Sequence, residues 1–190
     1  MVKLNRIYTK TGDSGETSLG DGARLPKFAR RIAAIGAVDE ANCAIGLARL
    51  HAQGEADAML ARIQNDLFDL GADLAIPETG RRSEAPLRIS QTQVERLERE
   101  IDAMNEKLQP LDSFVLPGGT VLAANLHMAR AVTRRAERKI AELSAKGAFH
   151  EQALKFTNRL SDHLFVMART ANDGGKGDVL WVPGENGDVR

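Results

Sequence analysis

The chain has 190 residues, and its 26 basic and 26 acidic side chains cancel, which argues against a dedicated nucleic-acid binder, whose domain carries a basic excess. The single Cys43 leaves no intramolecular disulfide and no Cys-rich metal site, as suits a reducing compartment. No N-terminal apolar stretch is long enough for a signal peptide and no segment approaches a membrane span, so the sequence reads as one cytoplasmic domain without a membrane partner.

The first segment, "YTKTGDSGETSLGDG" at 8–22, is rich in Gly, Thr and Ser. It has the composition of a phosphate-holding loop, but not the Gly-x4-Gly-Lys-Ser/Thr spacing of the common one. Around it, Lys3, Arg6, Lys10, Arg24, Lys27, Arg30 and Arg31 outnumber Asp13, Glu16 and Asp21. Local cationic excess in a neutral chain suits a small polyanion.

Helical periodicity follows. Ile32, Ile35, Val38 and Ile45 share a sector between Arg30 and Leu50, and Leu60, Ile63, Leu67, Leu70 and Leu74 form a second helix that stops before Pro77. Residues 77–88 read as a polar loop. Ser90 with Gln93 forms a capping box for a third helix carrying Val94, Leu97, Ile101, Met104 and Leu108. "QPLDSFVLPGG" is a second connection. The fourth helix carries Leu122, Leu126, Ala129, Ala136, Ile140 and Leu143 and ends at Gly147; the fifth runs from about Glu151 to Ala171. In the fourth, Ala123, Ala124, Ala129 and Ala136 allow close approach of a neighbour. "GGKG" at 174–177 reads as a flexible tail element. The expected plan is a single all-α domain, an up-and-down five-helix bundle with ferritin-like packing. Its parts are a binding loop at 1–27, the bundle at 28–174 and an irregular tail at 175–190.

Polar groups fall where helices should be apolar. Asp39 and Asn42 share the sector of Ile32, Ile35 and Val38, so Asp39 needs a cationic partner or a wet, open site. Arg130, Arg134 and Glu137 share one face of the fourth helix; Asn158, Asp162, Phe165 and Arg169 share one face of the fifth. Each face alone is an ordinary surface ladder, whereas three beside core stripes suit a polar cleft between helices or subunits. His51, His127, His150 and His163 lack metal-ligand spacing and read as surface or edge residues. No nucleophile elbow, Cys-His pair or Rossmann glycine pattern occurs.

"YTKTGDSGETSLGDGARLPK", "AVDEANCAIG", "FVLPGG", "ARAVTRRAER" and "FTNRLSDHLFVMAR" resemble, in order and spacing, the ATP:cob(I)alamin adenosyltransferases of the propanediol-utilisation (PduO) type. The resemblance runs from Tyr8 to about Asn172; Ala41 and Val115 depart from it without touching a polar group. It implies a homotrimer with active sites between subunits, and transfer of the 5′-deoxyadenosyl group of ATP to Co(I) of a corrinoid such as cobalamin, releasing triphosphate. By the same resemblance Thr9, Lys10, Thr11, Gly12, Thr17, Ser18, Lys27, Arg134, Arg135, Glu137, Arg138 and Asn158 bind ATP. Asp39 would pair with Arg130 across the interface, and Phe114 and Asp162 would join these two on the corrinoid side. Lys10, Arg134, Asp39 and Arg130 are the expected catalytic set. Mg²⁺ is expected through ATP, with Glu137 as the one candidate protein ligand, and a reductase as the electron source.

Co(I) is itself the nucleophile, so the protein's work is to bind, orient and stabilise charge on the leaving triphosphate. The sequence lacks the Asp-x-His-x-x-Gly pattern that gives cobalt a histidine in some corrinoid enzymes. Phe114 could occupy that side of the ring, or could be an ordinary core anchor. Two alternatives stay open: a nucleotide-binding regulator or NTPase, and a bundle whose charged faces serve only oligomerisation.

Overall fold

Alanines rather than large aliphatics decide how closely the helices of this chain approach. The computed structural model describes residues 7–77, 86–145 and 151–187. In order, the elements are β1 (Glu16–Ser18), β2 (Arg24–Pro26), α1 (Arg30–Arg49), α2 (Gly54–Leu74), α3 (Gln91–Asn105), α4 (Val121–Ser144) and α5 (Glu151–Ala171). The expected helix end at Gly147, most of the 77–88 loop, His150, Lys3 and Arg6 lie outside the described residues.

The five-helix bundle expected from the apolar stripes is the observed fold. α1 packs on α4 and α2, and α5 packs on α4 and α3. Ala34, Ala37, Ala41, Ala44 and Ala48 of α1 are buried, as are Ala123, Ala129 and Ala136 of α4, while Ala124 is exposed. Side chains this short allow backbones to approach and gain dispersion contacts. Around them Leu60, Ile63, Leu67, Leu70, Leu97, Leu126, Ile140, Phe156, Leu160 and Leu164 fill the core. Truncating one of these leucines would cost about 2–5 kcal/mol.

The Ser90 capping box is formed: Gln93 N–H donates to Ser90 Oγ at 3.4 Å and Ser90 N–H to Gln93 Oε1 at 2.8 Å. α2 and α3 are joined by side chains, through Gln93 to Asp66 at 2.9 Å and Arg62 to Glu100 at 2.9 Å. Among the described residues, no helix is long and apolar enough to cross a membrane.

The chain beyond α5 corrects the expectation of a flexible element there. Asp178 accepts from Arg169 Nε at 2.8 Å and from Asn172 Nδ2 at 3.0 Å, and the Arg169 and Asp178 side chains are 6% and 3% exposed. Residues 179–181 then pair antiparallel with 114–116. Gly119 permits this packing. It has φ +97°, and a Cβ there would stand 2.3 Å from Asn172 Oδ1, so the second glycine of "LPGG" is needed for both conformation and space.

Candidate functional site

Two loops and the faces of α1, α4 and α5 carry the candidate side chains. The first loop is built on the hairpin of β1 and β2, in which Glu16, Thr17 and Ser18 oppose Pro26, Leu25 and Arg24. Arg24 clamps it by donating to the Thr11 carbonyl at 2.9 Å and to Ser18 Oγ at 3.4 Å. Lys27 N–H donates to the Gly15 carbonyl at 2.9 Å, and a Cβ on Gly12 would meet Lys27 Nζ at 3.2 Å. Gly12 thus lets the Lys27 ammonium lie against the loop backbone. Lys10 holds a left-handed conformation at φ 60°, which is unfavourable for a residue with a Cβ. Thr9, Lys10, Thr11, Ser18 and Lys27 are exposed, Gly12 and Thr17 half-buried, and neither Lys10 nor Lys27 forms a salt bridge among the described residues. Cationic tips around a glycine backbone are the kind of surface that suits a polyphosphate.

The second loop, 109–120, meets α4 and α5 around a cavity of about 560 Å³ lined by Leu111, Phe114, Arg130 and Phe165 among others. Phe114 is 76% exposed, so it is not a core anchor. Arg130 is half-buried and its Nε is buried without a hydrogen-bond partner. Burial first, and then the Arg134 charge one turn away, press the Arg130 guanidinium below its ordinary value, so an anionic partner would be welcome there.

The faces expected on α4 and α5 do meet. Glu137 Oε1 accepts from Asn158 Nδ2 at 2.9 Å. Burial raises the Asp162 carboxyl above its ordinary range; Glu137 acts in the same direction, and Arg159 and Arg134 oppose it. Arg134 and Arg138 are exposed. Arg135 is paired with Glu40 of α1, which places it in the α1–α4 seam. Arg169 does not join this face but holds the tail.

Asp39 and Arg130 are not brought together within one chain. Asp39 is exposed and lies at a separate groove between α1 and α2, of about 470 Å³, lined by Ile32, Ile35, Gly36, Leu67 and Phe68 among others. Nor does the first loop reach the α4–α5 face: among the described residues, the hydrogen bond from 9–27 to a helical element runs from Gly20 N–H to the Ala75 carbonyl at the end of α2, at 3.0 Å.

Two histidines correct the expectation of surface positions. His163 is fully buried with Nε2 2.8 Å from Glu100 Oε2. His127 is buried behind the cavity, its ring edge-on to Phe165 at 6.1 Å. Periodicity of large apolar residues does not register a histidine in a core stripe. Sequence reasoning also missed Trp181, whose ring centroid lies 6.0 Å from that of Phe114. No local pattern announces a contact between two coil segments so far apart in sequence.

The sequence profile of the cobalamin adenosyltransferase family matches residues 7–171. A corrinoid adenosyltransferase of Mycobacterium tuberculosis is 49% identical over 189 residues, covering 96% of each chain. Another from Bacillus subtilis is 42% identical, covering 92% of this chain and 91% of that one. Among solved structures, a variant PduO-type ATP:corrinoid adenosyltransferase from Lactobacillus reuteri, complexed with cobalamin and ATP, superposes with a TM-score of 0.85 at 39% identity, covering 93% of this chain and 99% of that one. A further variant of the same enzyme, complexed with ATP, gives a TM-score of 0.83 at 38% identity, covering 93% of this chain and 100% of that one. With profile, sequence and structure in agreement over nearly the whole chain, the protein belongs to the cobalamin adenosyltransferase family.

Proposed function

We propose that this protein transfers the 5′-deoxyadenosyl group of ATP to the Co(I) centre of a reduced corrinoid, with ATP held by the 9–27 loop and the corrinoid by the 109–120 loop. The observation that carries the reading is the cavity lined by Phe114, Phe165 and Arg130, one helical turn from the exposed Arg134. An apolar wall beside a row of cations suits a large, flat substrate next to a polyphosphate. In the reaction, Co(I) attacks C5′, the Co–C bond forms as the C5′–O bond breaks, and the electron pair leaves on the triphosphate oxygen. No protein base is required. Lys10, Lys27 and Arg134 stabilise the growing negative charge, with Thr9, Thr11, Gly12, Thr17, Ser18, Arg138 and Asn158 completing the ATP contacts.

The separation of the first loop from the α4–α5 face supports a site completed between copies. In this reading the chain forms a homotrimer, the loop of one protomer faces α4 of its neighbour, and Asp39 at the open α1–α2 groove meets Arg130 of the next copy, whose Nε has no hydrogen-bond partner within the chain. Arg135, tied to Glu40, acts on the seam rather than on ATP directly. Among the described residues, no group of three or more His, Cys, Asp or Glu side chains could hold a metal ion. In this reading Mg²⁺ arrives on the triphosphate, where it offsets charge, with Glu137 as a candidate carboxylate. The electron for Co(II) comes from a separate reductase, and the protein works in the cytoplasm.

The test is anaerobic incubation with ATP, Mg²⁺ and chemically reduced cobalamin. The expected outcome is an adenosylcorrinoid spectrum with one intact triphosphate per turnover. Release of diphosphate and phosphate without a corrinoid change would favour an NTPase.

A further inference from the structure

We propose that Trp181 is a positioning residue for the corrinoid site, holding Phe114 against the cavity through a short pairing between the chain's tail and the 109–120 loop; this rests on the function proposed above. Trp181 N–H donates to the Phe114 carbonyl at 2.7 Å, and Leu116 N–H donates to the Val179 carbonyl at 2.8 Å. Ser113 Oγ donates to the Trp181 carbonyl at 2.6 Å. These bonds bracket Phe114 on its own strand. The two rings meet at 53° with centroids 6.0 Å apart, a tilted contact of the favourable aromatic kind.

Phe114 lines the cavity and Trp181 does not, so the indole supports the phenyl ring from outside the cavity. A phenylalanine as exposed as this one would otherwise turn among its rotamers. The support is anchored in turn. Asp178, three residues before Trp181, is fixed by Arg169 and Asn172, and Arg169 Nη2 also donates to the Gln109 carbonyl at 3.0 Å, where the loop begins. One buried guanidinium therefore ties down both strands of the pairing. Displacing a positioning group by an ångström lowers a rate on the order of a hundredfold.

Trp181 is the one tryptophan in the sequence, so its fluorescence reports on this place alone. In the full-length protein, adding cobalamin should quench that emission saturably, and adding ATP alone should not. With chemically reduced cobalamin, Trp181→Ala should lower corrinoid kcat/KM by about tenfold to a hundredfold. It should leave the KM for ATP and the ATP-induced rise in Tm as in the parent. Trp181→Phe, which keeps a ring, should recover to within about threefold of the parent. The proposal is overturned if the folded alanine variant keeps full corrinoid kcat/KM, if corrinoid and ATP parameters fall together with the folded fraction, or if the phenylalanine variant is no better than the alanine one. A parent that shows the quench yet makes no adenosylcorrinoid would overturn the transfer reaction while supporting the tail as part of a corrinoid site. Absence of the quench in an active parent would remove Trp181 from that site.

Discussion

The loops 9–27 and 109–120 are held in opposite ways. The first is a small hairpin, clamped by its own Arg24 and touching the bundle through Gly20 and Ala75. Lys10 and Lys27 stand in solvent, with no salt bridge among the described residues. The second is shaped by the far end of the chain, whose pairing and buried Arg169–Asp178 bridge leave Phe114 directed by protein contacts alone. Exposed ammonium groups gain most when a polyanion arrives; a braced apolar loop offers its shape in advance. The proposed assignment follows that division, with triphosphate on the first loop and corrinoid on the second.

The largest expected effect breaks the brace. Asp178→Ala strands the buried Arg169 guanidinium and should cost about 3–5 kcal/mol of stability in chemical denaturation. Corrinoid kinetics of the folded variant should deteriorate, while ATP still raises its Tm. Next, Arg134→Ala removes a cation that stabilises the leaving group. Turnover should fall by about a hundredfold, or about 3 kcal/mol in the barrier, while quenching of Trp181 by cobalamin stays near the parental concentration. Equal losses in corrinoid binding and turnover would move Arg134 to the corrinoid side.

A smaller effect sharpens the contrast from the first loop. Lys10 is left-handed, so Lys10→Gly relieves conformational strain of about 1 kcal/mol, partly offset by added freedom in the unfolded chain. Stability should hold or rise slightly while the KM for ATP increases, a split a purely structural residue would not give. The smallest lies outside both loops. Burial pushes the Glu100 carboxyl up, but hydrogen bonds from His163 and Arg62 outweigh it and leave it below its ordinary value. A depressed folded pKa contributes stability above the unfolded glutamate value of about 4.3, lost as pH falls through the folded one. Glu100→Gln should flatten that acid limb of a Tm–pH curve and leave both ligands' binding at neutral pH unchanged.

The helices were legible because Leu60 to Leu74 and Val94 to Met104 repeat large apolar side chains at helical spacing, and because Ser90 and Gln93 form a local motif. The alanine seam between α1 and α4 was half legible. A count of large side chains places the stripe at Ile32 and Ile35, yet these are only half-buried, and Ala34, Ala37 and Ala41 make the seam. The candidate site was legible through a resemblance spread over several motifs. Its support was not. Asp178, Trp181 and Gly119 act through pairing of distant coil segments, which leaves no periodic signal, and "NDGGKGD" has the composition of a flexible linker.

The central claim is that one site takes its ATP loop from one copy and its α4 cations from another. Subunit complementation tests it directly. Lys27→Ala and Arg134→Ala, each expected to be nearly inactive, are refolded together in equal amounts and assayed for adenosylcobalamin formation. A shared site predicts that about a quarter of the sites regain both wild-type halves, because a head-to-tail interface pairs loop and helix from different chains. A mixture no more active than the two variants measured apart would contradict it and place both halves of the site in one chain.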